Sequence, residues 1–341
     1  MMNNIKLKRL EITGLFGYKN VCINFNDVTV IVGKNGLGKT TILKILNALL
    51  TVDSDCRELS LCSRAAVLFT DSDEIAIEYK AESDFLKEIK RGLVEKLIAD
   101  GELTGKNDIS HIDNYEYTLR KIISRIYLND ELVKQKPEHL LLQSLFPEQI
   151  TLSEAIEDYI TKKCEIRYIS AINMSANALR GITMSSGQDK NLLNWELMIE
   201  LKELAKEENS PYRDRFIKQA SALLRECDKC AEFRGDNFYA KDVFRNAEIN
   251  IENLSSGERQ LLYILSRVAN TKDKPSFFLM DEPEISLHLN WQEKLISTIK
   301  ELNPWCQIII VTHSPAIVMD GFMDCYVDMN EISSVRTDVG F

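Results

Sequence analysis

The glycine-rich segment that begins at residue 33 constrains this chain more than any other feature of its sequence. It matches the phosphate-binding pattern G-x-x-x-x-G-K-S/T in full, with the residues Gly33, Lys34, Asn35, Gly36, Leu37, Gly38, Lys39 and Thr40. The β-branched run at 28–32 precedes it and is typical of a strand buried on both faces. Apolar residues then recur at helical spacing over 40–50. Strand, loop and helix in this order predict the opening of an α/β nucleotide-binding fold.

Each part of this pattern has a physical role in holding a nucleotide phosphate. Glycines let backbone N–H groups turn toward a phosphate without a side-chain collision. The N-terminal end of the following helix carries a partial positive charge that favours an anion. We expect Lys39 to reach the β- and γ-phosphates and the Thr40 hydroxyl to ligate Mg²⁺, and we count Thr41 with the nucleotide-binding segment. ATP and Mg²⁺ are therefore the predicted cofactors.

Two later apolar runs end in side chains suited to hydrolysis. The run at 276–280 leads into Asp281, expected to hold the metal through a water, and Glu282, expected to orient or deprotonate the attacking water. The run at 305–311 leads to His313, which is placed to sense the γ-phosphate. An acidic turn and a structural histidine are the plain alternatives. The phosphate loop upstream favours the catalytic interpretation.

A hydroxyl-rich turn at the start of a predicted helix offers a second phosphate contact. The segment LSSGERQ begins at Leu254 and is followed by apolar residues at helical spacing. Because one γ-phosphate does not require two such sites in one chain, the segment predicts a dimer in which each phosphate loop faces the other chain's serine turn. The alternative is a simple helix N-cap at one of the two serines. The nucleotide-binding residues predicted in this turn are Ser255, Ser256, Gly257 and Glu258.

Taken in order, the segments GKNGLGKTT, LSSGERQ, FFLMDEPEISLH and VTHSP resemble the motifs of ABC-type ATPases. They are most similar to the branch that includes SMC, Rad50, RecF and overcoming-lysogenization-defect (OLD) proteins. The resemblance spans 33–315 and implies an α/β P-loop core, with a mixed sheet flanked by helices and two helical insertions. It also implies two chains placed head to tail around two ATP molecules.

The same resemblance implies a role for each matching residue. Asp281 corresponds to the Walker B aspartate, while Ser255 and Gly257 correspond to the signature contacts made in trans. The residues that it makes catalytic are Glu282, His313 and Lys39. The sequence DEPEISLH is similar to the form in small ATPases of bacterial anti-phage systems such as Septu, PARIS and retrons.

The chain also departs from the family pattern. Leu289 follows His288 where family members often have proline. No glutamine is assigned to the Q-loop role, because the candidates lie in helical-looking sequence; they are Gln135, Gln143 and Gln149. The segment 184–188 imitates the signature but is interpreted as a glycine-containing loop.

We interpret the chain as one α/β core interrupted by two helical insertions. In the second insertion, Ser210 is expected to cap a helix that has Pro211 in its first turn. The predicted segments are the N-terminal lobe 1–80, a helical insertion 81–164, a return to the core 165–180, a second helical insertion 181–245, and the C-terminal lobe 246–341.

Composition excludes several classes of protein. Hydrophobic residues make up 45% and charged residues 28%, which excludes a disordered chain. The net charge of −10 argues against a broadly basic nucleic-acid surface. No long apolar run predicts a membrane span or a leader, and the eight scattered cysteines suggest a reduced, cytoplasmic protein.

Cys227 and Cys230 form one C-x-x-C pair, interpreted as helix cysteines with a metal role as the alternative. The basic side chains at 87–96 are interpreted as a solvated helix face.

These observations predict a cytoplasmic ATPase that works as a homodimer or a larger even-numbered oligomer. ATP would close the dimer and hydrolysis at Glu282 would reopen it, with the insertions carrying the motion to a separate effector protein such as a nuclease. The 28 residues after His313 leave no room for the TOPRIM nuclease of OLD proteins. Anti-phage defence is the role that the resemblance implies. The alternatives are a RecF- or Rad50-like DNA-repair ATPase, a transporter ATPase with a membrane partner, and a nucleotide-gated scaffold or sensor with little turnover; nucleic-acid binding stays open.

Overall fold

The computed structural model describes residues 6–53, 56–70, 74–79, 124–128, 131–136, 164–170, 181–183 and 189–335. The chain divides into two compact units. The first comprises Met1–Lys6, Asn26–Leu43 and Lys163–Met329, and the second comprises Leu7–Phe25, Lys44–Lys162 and Asn330–Phe341. The predicted loop at 184–188, the basic face at 87–96, Gln143 and Gln149 lie outside the described residues.

The helices and strands are numbered along the described chain. The strands are β1 (Leu7–Leu15), β2 (Lys19–Asn24), β3 (Val28–Val32), β4 (Arg64–Phe69), β5 (Glu74–Tyr79), β6 (Ser124–Leu128), β7 (Glu131–Lys136), β8 (Glu165–Ser170), β9 (Gly181–Thr183), β10 (Asp189–Asn191), β11 (Lys229–Arg234), β12 (Asn237–Asp242), β13 (Glu248–Ile249), β14 (Ser276–Asp281), β15 (Cys306–Thr312), β16 (Tyr326–Asp328) and β17 (Ser333–Val335). The helices are α1 (Lys39–Thr51), α2 (Leu192–Ala205), α3 (Ser210–Leu224), α4 (Ser256–Ala269) and α5 (Leu289–Leu302).

A five-stranded parallel sheet forms the centre of the first unit, in the order β16-β3-β15-β14-β8. Its three central strands, β3, β15 and β14, are buried along their whole length, as their continuous apolar sequences predict. Asp281 pairs in register with Val311, and Thr312 pairs with Val32. The carboxyl ends of these strands therefore meet at one edge of the sheet, where α/β proteins bind ligands.

Helices cover this sheet with apolar faces. In α2 a stripe of leucines at helical spacing is buried, formed by Leu193, Leu197, Leu201 and Leu204. Trp291 of α5 is completely buried, and its indole N–H donates to the carbonyl of Leu223 at 3.2 Å. Helix α3 begins at Ser210, but the cap position belongs to Asn209, so the predicted cap is wrong by one residue. Within the described residues, no helix is both long and apolar enough to cross a membrane.

The end of the second predicted insertion is a hairpin. Strands β11 and β12 pair antiparallel, with Ala231 opposite Ala240, so the helical prediction for 181–245 is wrong at these strands. The prediction of helix cysteines is likewise wrong for Cys230. Cys230 lies in β11, and Cys227 ends a short 3₁₀ turn. Phe233 and Phe238 face each other at 5.3 Å between ring centroids, and each also packs edge-on against a phenylalanine of α3. This aromatic packing against α3 stabilises the strands.

The second unit contains an antiparallel sheet in the order β17-β2-β1-β4-β5-β6-β7. Strands β2, β1, β4 and β5 lie side by side in this sheet. Residues 124–128 and 131–136 are strands, so the helical prediction for 81–164 is wrong at these positions, and Gln135 lies in β7. Ile126 pairs with Ile77, which shows that β6 forms by extending the edge of β5. Such long-range pairing overrides local helical periodicity.

Candidate functional site

The phosphate loop joins β3 to α1 in the first unit. Two of its glycines are required by backbone conformation and a third by close packing. Gly36 and Gly38 adopt φ of +83° and +92°, a region that favours glycine. Gly33 is required by close packing, because a Cβ there would lie 2.9 Å from the Cβ of Met329. The amide of Ile42 donates to the carbonyl of Gly38 at 2.9 Å and starts the first helical turn. The helix therefore begins directly behind the loop, and its N-terminal end is directed toward it.

Lys39 is held across this loop by its own backbone. Its ammonium group donates to the carbonyls of Gly33 at 2.8 Å and Lys34 at 3.2 Å. Burial lowers the pKa of Lys39, while the nearby carboxylates of Glu282, Asp281 and Glu284 oppose that shift. The cation is thus enclosed among backbone carbonyls and acidic side chains at the loop.

Thr40 and Asp281 meet beside this lysine. The Thr40 hydroxyl donates to Oδ1 of Asp281 at 2.9 Å, and Asp281 is buried at the carboxyl end of β14. A hydroxyl and a carboxylate are oxygen ligands of the kind that Mg²⁺ takes in proteins, usually with phosphate oxygens and waters completing the shell. Across the described part of the chain, no group of three or more His, Cys, Asp or Glu side chains is arranged to hold a metal ion by itself. The pair fits a Mg²⁺ held jointly with a phosphate, for which two protein ligands suffice.

His313 connects Lys39 to Glu282. Its Nε2 lies 2.9 Å from Nζ of Lys39 and 3.1 Å from Oε1 of Glu282. One ring nitrogen carries either a proton or a lone pair, so Nε2 donates to the carboxylate when protonated and accepts from the ammonium when not. His313 therefore has two competing hydrogen-bond partners, Lys39 and Glu282, and the presence or absence of a proton on Nε2 decides which of them it binds.

The backbone at Glu282 is strained. Its φ is +51°, in the left-handed region, which costs about 1–2 kcal/mol for a residue other than glycine. Its amide donates to the carbonyl of Val311 at 2.8 Å and holds this geometry at the end of the parallel pair. The Glu282 side chain keeps 30% of its surface exposed. A carboxylate that is anchored by its backbone and still exposed is suited to orient a water.

The serine turn is a complete helix N-cap. Ser255 accepts a hydrogen bond from the amide of Glu258 at 3.3 Å, and the Glu258 carboxylate accepts from the amide of Ser255 at 2.8 Å. Glu258 also pairs with Lys229 at 2.5 Å. Burial alone would raise the pKa of Glu258, but these bonds outweigh it and hold that pKa below its usual range. The carboxylate of Glu258 is therefore engaged within its own chain, whereas Ser255 is exposed and Ser256 is half-buried.

Close packing within the chain requires glycine at position 257, which the motif alone does not reveal. A Cβ at this position would lie 2.3 Å from the carbonyl oxygen of Ser286. Gln260, one turn along α4, donates to the carbonyl of Pro283 at 2.7 Å. The start of α4 is thus pressed against the loop that carries Glu282, and the serine turn and the carboxylates belong to one packed assembly.

His288 and Leu289, where the sequence departs from the family pattern, follow this loop. His288 is the N-cap residue of α5, and its ring packs edge-on against Trp291 at 5.0 Å. Leu289 begins the helix and is 60% exposed. Cys227 lines an open cleft beside these two residues. Burial raises the pKa of both C-x-x-C thiols. Neither of these described cysteines belongs to a group of side chains that could hold a metal ion.

Sequence reasoning missed one acidic side chain in the site. The carboxylate of Glu284 accepts hydrogen bonds from the residues around His313. The only signal for it in the sequence is the second glutamate of the DEPE segment, three residues after Asp281. No residue among Gln135, Gln143 and Gln149 can be assigned a Q-loop role, since two lie outside the described residues and Gln135 lies in β7.

Comparisons with known proteins match this chain to ATPase families. A family model described as "AAA ATPase domain" matches residues 5–143. A second, described as "AAA domain, putative AbiEii toxin, Type IV TA system", matches residues 185–320. The chain is similar to the Septu protein PtuA of Bacillus thuringiensis, with 26% identity over 92% of this chain and 72% of the relative. It is also similar to the "Retron Vc95 probable ATPase" of Vibrio cholerae serotype O1 biovar El Tor, with 22% identity over 93% of this chain and 72% of the relative.

The fold also matches a solved structure. The SMC head bound to the C-winged helix domain of ScpA aligns with a TM-score of 0.54, over 96% of each chain and at 18% identity. At this identity the likeness establishes the fold alone, which is that of an SMC head-like P-loop NTPase.

Proposed function

We propose that this chain is an ATPase similar to the SMC- and OLD-like ATPases, and that it binds ATP with Mg²⁺ and hydrolyses it in the first unit. The observation that carries the proposal is the contact series from Glu282 through His313 to Lys39, placed beside the Thr40–Asp281 pair. These groups come from three separate segments of the sequence and meet at one sheet edge. An arrangement of a base, a cation and a metal-ligating pair is what phosphoryl transfer to water requires.

Each side chain has a definite task in this proposal. Lys39 neutralises negative charge on the β- and γ-phosphates, and the loop amides from Gly33 to Gly38 hold the phosphate oxygens. Thr40 and Asp281 hold Mg²⁺, which supplies further charge neutralisation when bound. Glu282 orients and deprotonates the attacking water, and His313 holds that carboxylate in place.

The serine turn completes the site from a second copy of the chain. Ser255, Ser256 and Gly257 would present the start of α4 to the nucleotide of the partner subunit. The exposure of Ser255 and its N-cap geometry support this role. The catalytic state in this proposal is a homodimer or a larger even-numbered oligomer with ATP at each interface.

A separate effector protein is the proposed target of the cycle. Septu and retron ATPases are the named relatives, which supports a role in anti-phage defence with a partner such as a nuclease. In this proposal the segments 81–164 and 181–245 carry the nucleotide-dependent motion to that partner.

The decisive experiment compares wild type with Glu282→Gln. Light scattering and phosphate release are measured with and without ATP and Mg²⁺. Lys206→Arg keeps its charge at an exposed pair with Glu203 and serves as the control. We expect wild type to release phosphate, and the variant to lose turnover by about 10²-fold or more while holding an ATP-dependent dimer. Unchanged mass with ATP and no turnover in wild type would refute the proposal. ATP-dependent assembly without turnover would instead indicate a nucleotide-gated scaffold.

A further inference from the structure

The loop that carries His313 leaves the sheet with two backbone amides to satisfy. Strand β15 ends at Thr312, and Pro315 follows three residues later. The amides of His313 and Ser314 therefore have no strand partner and need another acceptor. In this structure the acceptor is a carboxylate from the neighbouring strand's loop.

Glu284 supplies that acceptor with a single oxygen. Its Oε1 accepts from the Thr312 hydroxyl at 2.5 Å and from the His313 amide at 3.0 Å. The Ser314 amide donates to the same Oε1 at 3.3 Å and to the hydroxyl oxygen of Thr312 at 2.9 Å. Charge-assisted hydrogen bonds of this kind are stronger than neutral ones. One carboxylate thus gathers three consecutive residues at the strand end.

A second set of bonds supports the same loop. The Ser314 hydroxyl donates to Oε1 of Gln292 at 2.7 Å, and Nε2 of the Gln292 side chain donates to the carbonyl of Leu287 at 2.9 Å. The amide of Leu287 donates in turn to the carbonyl of Glu284 at 2.9 Å. The loops after β14 and β15 are therefore tied to each other and to helix α5.

From these contacts we propose that Glu284 is a positioning residue that sets the direction of the His313 imidazole between Lys39 and Glu282. The ring nitrogen lies within 3.1 Å of both partners, and a backbone rotation at residue 313 would separate it from one of them. Glu284 bonds to the backbone amide of His313, so it acts through the histidine. This inference rests on the proposed ATP hydrolysis.

The structure offers a matched control at Asp242. Its Oδ1 accepts from the amides of Phe244 at 2.9 Å and Arg245 at 2.8 Å, also just after a strand. Asp242→Ala removes the same kind of carboxylate clamp at the turn after β12, which is in neither of the loops that carry Lys39 and His313. A general loss of loop order would affect both variants, whereas a positioning role would affect only Glu284→Ala.

The test is a double-mutant cycle with His313→Ala. We expect Glu284→Ala to lower kcat by about tenfold or more, with KM for ATP within about threefold of wild type. Glu284→Gln keeps an acceptor oxygen and should recover most of the activity. Because Glu284 acts through His313, the double variant should match His313→Ala within about twofold. The inference would be overturned if the fold losses in kcat of the two single variants multiplied in the double variant. It would also be overturned if Glu284→Ala kept the wild-type kcat, or if Asp242→Ala lost as much kcat as Glu284→Ala.

Two further measurements keep the inference separate from the proposed function. If Glu284→Ala does not fold, the nearly isosteric Thr312→Val should lower kcat by about two- to fivefold, and an unchanged kcat would count against the clamp. If wild type shows no turnover, the proposed function fails. Ring ¹⁵N resonances of histidine-labelled protein then decide the inference. The His313 signal, assigned by its loss in His313→Ala, should shift in Glu284→Ala and not in Asp242→Ala, and an unshifted signal would overturn it.

Discussion

Replacing Gly257 by alanine tests whether the signature glycine is required by packing within its own chain. The new Cβ would lie 2.3 Å from the carbonyl oxygen of Ser286, where an ordinary contact begins at 3.4 Å, so the two segments must separate by about 1.1 Å. Overpacking of this kind costs about 1–3 kcal/mol. Alanine would otherwise favour the helix by about 0.5–1 kcal/mol, since residue 257 lies in the first turn of α4. The net expectation is a loss of stability.

The assay is thermal unfolding of the nucleotide-free protein, where contacts with a partner subunit's ATP play no part. A clash with backbone at 2.3 Å lies at the upper end of the overpacking range, so the net loss is about 1–2.5 kcal/mol. With a shift of about 2–4 °C per kcal/mol, as in chains of about 150–250 residues, the melting temperature should fall by about 2–10 °C. Gly235→Ala is the matched control. It has a φ of +57° with nothing within 4 Å, so its cost is conformational alone, about 1–2 kcal/mol. In the same samples, kcat should fall for Gly257→Ala and stay unchanged for Gly235→Ala. A Gly257→Ala protein as stable as wild type would refute the packing argument.

Two other substitutions probe the core beneath the site. Lys229→Met should destabilise the protein by about 1–3 kcal/mol at pH 7, because it leaves the buried carboxylate of Glu258 without its cation. The pKa of Glu258 is depressed in the folded state, so this stabilisation is present above the unfolded value of 4.5 and is lost as pH falls through the folded value. Melting curves at pH 7 and pH 4 should therefore show a smaller gap between wild type and variant at pH 4, and an equal gap would contradict the assignment. Trp291→Ala should cost about 3–5 kcal/mol in denaturant unfolding, whereas Trp305→Ala, at a half-exposed position, should change stability by less than about 1 kcal/mol; similar losses would contradict the burial argument.

Local sequence determined the elements that form the phosphate-binding site. The run 28–32 predicts a fully buried strand, and the structure confirms it. The glycine-rich loop and helix α1 follow as predicted, because glycine torsions and helical periodicity are properties of consecutive residues. The strands that deliver Asp281 and His313 were predicted for the same reason.

The same local reasoning failed where strands depend on distant partners. Strand β6 forms against β5, nearly fifty residues earlier in the chain, and the hairpin of β11 and β12 packs against α3. Neither segment carries a periodic pattern strong enough to predict a strand by itself. Their backbone hydrogen bonds and apolar contacts exist only once the other element is in place.

The sequence by itself determined which residues could bind phosphate and metal, because each motif is a contiguous run whose chemistry belongs to its residue types. Only the tertiary structure decided how these motifs act together. The parallel order β3-β15-β14 brings His313 between Lys39 and Glu282, and the Glu284 carboxylate holds the loop that carries it. The close approach of α4 to Ser286 decided that residue 257 must be glycine. These contacts join residues about 30 to 270 positions apart, and such distances are set by sheet order and packing, which no local pattern encodes.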